Sequence, residues 1–163
     1  SLSILYVKKG VMDLRAQIDQ KYISALKSKN AEEIHTLRLI RSAIKNKDIE
    51  NRSSGNKKLI KDLEILSVLQ NLVKQRRDSI EQFQEGGRED LVAREQEQLE
   101  VILKYLPEQL SDDEIKDLVQ KAITELSVES MKDMGKLMGY LKPKLEGKTD
   151  MSIVSKLVKD LIV

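Results

Sequence analysis

The sequence predicts an all-α protein, with an N-terminal helical unit built on one long central helix and a small three-helix tail. Three observations carry that prediction. Between Lys57 and Leu91 the apolar residues Leu59, Leu63, Leu66, Val73, Ile80 and Phe83 recur every three, four or seven positions, the stripe of a helix with 3.6 residues per turn. No stretch alternates like a β-strand for more than a few residues. Pro107 is followed by Ser111-Asp112-Asp113-Glu114, a capping box in which the serine hydroxyl and the Glu114 carboxylate can each satisfy an orphan N–H of a new helix. Together these divide the chain into an N-terminal domain over 12–107 and a tail domain over 108–163.

Residues 1–11, SLSILYVKKGV, show no helical period and precede the first methionine. They are read as an extension outside the fold, from expression or an upstream start, with a trimmed organellar targeting sequence as the other reading. From Met12, residues Leu14, Ile18, Tyr22, Ala25 and Leu26 mark a first helix. Asn30 is placed to cap a second, with Glu32 and Glu33 in its first turn, where the helix dipole favours anions. Its apolar stripe is Ile34, Leu37, Ile40 and Ile44, and Arg38, Arg41, Lys45 and Lys47 form a basic edge beside it. Residues 51–56 read as a loop. The central helix follows from Lys57 to Gln84, roughly 42 Å at 1.5 Å per residue, and Gly86-Gly87 ends it by supplying a residue with φ > 0.

From Arg88 to Leu106 another helix turns Leu91, Leu99, Ile102, Leu103 and Leu106 inward, and Pro107 stops it. The tail then carries Ile115, Leu118, Val119, Ala122, Ile123 and Leu126 at helical spacing. A short helix is expected over Met131–Leu141, ended by Pro143, and a last one over Met151–Ile162, capped by Asp150.

Composition restricts the chemistry. The 163 residues include no Cys and no Trp, and only 3% are aromatic, so Leu, Ile, Val, Met and Ala must build the core. Disulfides and thiolate metal sites are excluded. There is no run of eighteen apolar residues, so no transmembrane helix is expected. The net charge of +2 hides a segregation: residues 1–80 hold 17 Lys/Arg against 9 Asp/Glu, 81–125 hold 5 against 13, and 126–163 hold 7 against 5. Basic ends flanking an acidic middle suit a polyanion, although solvated helix faces give the same pattern.

No catalytic constellation emerges. His35 is the single histidine and lacks a carboxylate, serine or cysteine partner, so it reads as a solvated or partly packed imidazole. Glu95, Glu97 and Glu100 spread around their helix instead of converging. Gly86-Gly87 is not a phosphate loop, because the GxxxxGK[ST] pattern is absent. No cofactor and no metal is expected. The candidate features are cationic. Lys74, Arg76 and Arg77 form the densest basic run on the central helix, with an Arg77–Glu81 surface ion pair as their plain explanation. Gly135 and Gly139 share one helix face at a cost of roughly 2 kcal/mol relative to alanine. That cost points to a close approach, by a tightly packed helix or by a nucleic-acid backbone. Around them lie Lys136, Lys142, Lys144 and Lys148, with Lys156 further on; flexible lysine stems meet phosphates as point charges. Tyr6, Tyr22, Tyr105, Tyr140 and Phe83 are too scattered for a base-stacking platform, so phosphate and shape contacts are expected to dominate any nucleic-acid binding.

Three segments in order, VKQRRDSIEQFQEGGREDL, EVILKYLPEQLSDDEI and DMGKLMGYLKPKLEGKTDMSIVSKLVKDLI, resemble the GatB/YqeY family over about Met12 to Val163. The part from Ser111 is also similar to the tail domain of the B subunit of the tRNA-dependent Asn/Gln amidotransferase. The resemblance implies a two-part helical fold and a tail that helps hold tRNA. That B subunit also has a large portion that activates misacylated tRNA with ATP, and nothing of that size fits in this chain. The implied function is a stand-alone tRNA-binding or tRNA-amidation accessory protein, related to carbon–nitrogen ligase complexes with glutamine as amido donor but without their catalytic domains. Its implied partners are tRNA and an aminoacyl-tRNA synthetase or amidotransferase component, with no membrane. Lys136, Lys142, Lys144, Lys148 and Lys156 would meet the tRNA, extended by Lys74, Arg76 and Arg77. The alternative is a helical protein-interaction module with no nucleic-acid role. The expected location is the cytoplasm, with an organellar matrix as the other setting.

Overall fold

A computed structural model of the protein describes residues 13–162, so the extension reading of residues 1–11 lies outside the described residues. Among the described residues there are seven α-helices: α1 (Leu14–Ser28), α2 (Ala31–Ser53), α3 (Asp62–Glu85), α4 (Glu89–Leu103), α5 (Asp112–Glu125), α6 (Met134–Leu145) and α7 (Met151–Ile162). A 3₁₀ turn over Met131–Asp133 precedes α6. There is no strand among the described residues, so the all-α expectation holds; an isolated bridge joins Glu146 and Thr149. No described helix is long and apolar enough to cross a membrane.

The chain divides into two compact units, 1–107 and 108–163. Unit 1 has a core of Leu14, Ile18, Ala25, Leu37, Ile40, Ile44, Ile60, Ile65, Leu66, Leu69, Leu72, Val73 and Ile102, closed by Tyr105 and Leu106. Unit 2 has its own, made of Ile115, Val119 and Ala122 from α5, Leu137, Leu141 and Leu145 from α6, and Val154 and Val158 from α7.

Most helix starts follow their caps. The Asn30 side chain accepts the Glu33 N–H at 3.2 Å, Ser111 Oγ accepts the Glu114 N–H at 3.2 Å, and Asp150 accepts the Ser152 N–H at 2.9 Å. The capping box differs in its second half, because the Glu114 carboxylate takes the Ser111 hydroxyl proton at 3.1 Å. At the end of α3, Gly87 has φ +71° and Arg88 N–H reaches back to Phe83 O at 2.8 Å, the bond that closes a helix through a left-handed residue. Lys29 and Ser127 fill the same role after α1 and α5 with φ of 57° and 51°, a conformation that sequence reading assigns to glycine.

Four expectations are corrected. The loop assigned to residues 51–56 begins late, because α2 continues to Ser53 and is turned by Gly55 at φ +95°. The central helix starts at Asp62, not Lys57. Pro143 lies inside the last turn of α6, which runs on to Leu145; near a C-terminus its missing N–H removes one of few remaining bonds. The apolar stripe of α3 also shifts. Leu59 and Leu63 are 53% and 58% exposed, while Ile65, Leu69 and Leu72 occupy the core beside Leu66 and Val73.

The late start of α3 has a specific cause. Asp48, 7% exposed, lies one turn beyond Ile44 on the stripe that α2 buries. Arg15 grips its carboxylate with both terminal amines at 3.0 Å. The Ile60 N–H donates to the same carboxylate at 2.8 Å, and the Ile60 carbonyl accepts from Arg15 Nη2 at 3.1 Å. Ile60 therefore spends both backbone groups on side chains and has none for a helix ladder. Two residues on, Asp62 accepts the Leu14 N–H at 3.0 Å and ties the start of α1 to α3.

These carboxylates titrate in opposite directions. Burial pushes Asp48 up, but the Arg15 hydrogen bonds, the Ile60 N–H and the charges of Arg15 and Arg52 outweigh it and hold the group below its ordinary 3.8. Burial raises Asp62, and the Leu14 N–H only partly counters it, with the Asp13 charge adding to the rise. Removing the Asp48 carboxylate leaves Arg15 half-desolvated and the Ile60 N–H unpaired, so Asp48→Ala should destabilise the protein by about 3 kcal/mol near neutrality. Because the folded pKa is depressed, this contribution is complete above the ordinary value and is lost as pH falls through the folded one. Urea titrations should show the gap between wild type and Asp48→Ala shrinking below about pH 4.

Candidate nucleic-acid interface

Helix α6 carries most of the cationic residues singled out in the tail. Its buried side is Leu137, Leu141 and Leu145. Helical spacing sets Gly135, Gly139 and Lys142 together on the opposite side, with Lys136 and Pro143 beside them, and all five are exposed. A Cβ added at Gly135 or Gly139 would meet nothing within 4 Å. That corrects the packing explanation for these glycines: no neighbouring helix of the unit approaches them, and both lie open on the surface.

The lysines differ in availability. Lys136 Nζ donates to the Leu126 carbonyl at 3.2 Å, a cation placed on the orphan carbonyls that end α5. Tyr140 donates its hydroxyl to Glu125 at 2.8 Å, and Lys144 Nζ sits 4.5 Å from the centre of the Tyr140 ring. Lys142 is exposed on the glycine side. Lys148 is half-buried in the turn between α6 and α7, where its carbonyl accepts the Leu110 N–H at 3.0 Å. Lys156 faces different surroundings. It lines a groove between α5 and α7 with Asp112, Asp113, Asp160 and Lys116. Three carboxylates there disfavour a phosphate, so Lys156 stands apart from the α6 set.

The basic run on α3 is largely committed to its own unit. Lys74 pairs with Asp78 at 2.8 Å, so the ion pair of this turn is Lys74–Asp78 and not the expected Arg77–Glu81. Arg76 has a side chain only 13% exposed, lies 4.0 Å from Glu95 of α4, and so works in the seam between α3 and α4. Arg77 is exposed. His35 is exposed, and among the described residues no group of His, Asp and Glu is arranged to hold a metal ion.

Two features were missed by sequence reading. The Arg15–Asp48 pair joins residues 33 positions apart; its one available signal was a carboxylate on an apolar stripe, which demands a buried cation. The second lies where α1 meets α2. Tyr22 receives a hydrogen bond from Arg38 Nε at 3.1 Å, and the Arg41 guanidinium lies 4.3 Å from its ring centre. Spacing within either helix gives no hint of that contact.

Residues 15–162 match the family of Yqey-like proteins. A relative from Pyrenophora tritici-repentis named Altered inheritance of mitochondria protein 41, mitochondrial, is 33% identical over 151 residues, covering 91% of this chain and 79% of the relative. An uncharacterized protein of Schizosaccharomyces pombe is 31% identical over 103 residues, 63% of this chain and 80% of its own length. A Clavispora lusitaniae protein with the same name as the first is 37% identical over 120 residues, 72% of this chain and 65% of the relative. The match spans α1 to α7, across both helical units, and the chain belongs to the Yqey-like protein family.

Proposed function

We propose that this protein is a tRNA-binding accessory factor, non-enzymatic by itself, whose tail unit meets the tRNA backbone through the exposed side of α6. The carrying observation is the pair of open glycines. Two glycines within a twelve-residue helix weaken it, and nothing in the unit comes near enough to need them. A bare helix backbone beside the exposed Lys142 lets a phosphate chain come close, with the lysine stem reaching its charges. A synthetase or amidotransferase component is the protein partner such a role calls for. The proposed setting is the mitochondrial matrix, carried over from relatives whose names contain the word mitochondrial.

A protein-interaction role is the second reading, favoured by Leu59 and Leu63, each more than half exposed. The two readings differ in their salt dependence. A backbone contact weakens log-linearly with salt as counterions are released, whereas apolar docking varies little.

Binding of the purified chain to bulk tRNA, titrated at several salt concentrations, should weaken steeply. Changing Lys142, Lys144 and Lys148 to Glu should lower affinity at least about tenfold with helicity intact; unchanged affinity would remove the tail from the interface. Gly135→Ala with Gly139→Ala should act in opposite directions on two readouts. The added methyls meet open space, so stability should rise by roughly 1 kcal/mol per site, while tRNA affinity should fall because the backbone can no longer be approached. A stabilised variant with wild-type affinity would show that these glycines touch no ligand.

A further inference from the structure

A cationic cluster in unit 1 is not used by this reading. Tyr22 of α1 stands beside two arginines of α2, with the guanidinium carbons of Arg41 and Arg38 at 4.3 and 6.0 Å from its ring centre. Arg38 donates its Nε–H to the Tyr22 hydroxyl at 3.1 Å, and Arg41 donates its own to Asp19 at 3.0 Å. Both bonds use Nε, so they do not consume the terminal amines with which a guanidinium holds an oxyanion bidentately. Lys45 lies one turn beyond Arg41, and Arg38, Arg41 and Lys45 are all exposed. Their i, i+3, i+7 spacing makes one stripe, spanning roughly 10 Å along α2. Three cations against the single carboxylate of Asp19 leave two positive charges in excess.

Surface cations on long side chains lose rotamer freedom when a ligand fixes them. Here the tyrosine has already fixed two of the three. The contrast with α3 is direct, because Lys74 pairs with Asp78 and Arg76 is drawn into the seam with Glu95.

We propose that Arg38, Arg41 and Lys45 form a second contact with an RNA phosphate backbone, on the α1–α2 face of unit 1, with Tyr22 as the positioning residue. This rests on the reading that the protein binds tRNA, and it assigns unit 1 a contact other than the α3 run. A linear stripe of cations suits a repeating polyanion. The Tyr22 ring is half-buried and stacked by Arg41, so it is occupied by the protein and the contact is to backbone instead of bases. Ile23 and Leu26, 52% and 43% exposed on α1, make an anionic bilayer the rival occupant. Asp19 lies one turn from Ile23 and would be driven toward the lipid with it, which disfavours that occupant.

The test uses the full chain and bulk tRNA across a salt series, with Arg38→Gln/Lys45→Gln as the probe; Arg41 is kept because it ties α1 to α2. Loss of two phosphate contacts should lower the slope of log affinity against log salt by about 1.5, with weaker binding at every salt concentration and unchanged helicity. Tyr22→Phe keeps the ring and every charge but frees Arg38, so it should weaken binding several-fold with the slope and melting temperature unchanged. Wild-type affinity and slope in the double variant, alongside lost binding in the Lys142, Lys144 and Lys148 variant, would overturn this contact and leave the tail reading standing. Absence of salt-dependent tRNA binding by the wild type would overturn both. Vesicles containing phosphatidylglycerol complete the test: a double variant that loses only vesicle binding would assign the stripe to lipid and overturn the RNA contact.

Discussion

Asp48 occupies a position on the buried stripe of α2 where Leu37, Ile40 and Ile44 precede it, and a lone carboxylate there would be untenable. Unit 1 answers with Arg15 from α1 and the backbone of Ile60, so three chain segments meet at one charged group. Much else follows from that meeting. The Ile60 backbone cannot join a helix, α3 starts two residues later, and Asp62 is delivered to the Leu14 N–H. A buried ion pair adds less to net stability than its geometry suggests, because desolvation of both partners opposes it. Its stronger effect is on arrangement. Other registers of α1 against α2 would leave Asp48 buried without its cation.

What the sequence made legible is what local physics decides. Caps at Asn30, Ser111 and Asp150, the left-handed Gly87 and the apolar periods of α2 and α5 all report interactions within a few residues. The errors fall where distant residues override local pattern. The stripe drawn through Leu59 and Leu63 fitted a helical period as well as Ile65 and Leu69 do, but Leu59 falls before the helix, whose start the Asp48–Ile60 contact delays to Asp62. Pro143 read as a stop because its fixed φ and missing N–H are local facts, whereas the core contact of Leu145 that holds the last turn is not.

The cationic residues show the same division. Composition identified Lys74, Arg76, Lys136 and Lys156 as charged, but whether a charge faces a ligand depends on its neighbours. Asp78, Glu95, the Leu126 carbonyl and the groove carboxylates each claim one of them. Arg38 and Arg41, passed over as a basic edge, are organised instead by Tyr22, 16 residues from Arg38 in sequence. Runs of basic residues are visible in one dimension; guanidinium groups braced by an aromatic ring are not.

The open glycines of α6 also bear on how the tail unit moves. With Gly135, Gly139 and Pro143 among its twelve residues, α6 has little intrinsic tendency to stay wound and is held by three leucines and by two bonds to the end of α5. Its amide protons should therefore exchange with solvent through local opening at lower free energy than those of α5 or α7. The surface proposed to meet a ligand is then also the helix of the tail that opens most easily.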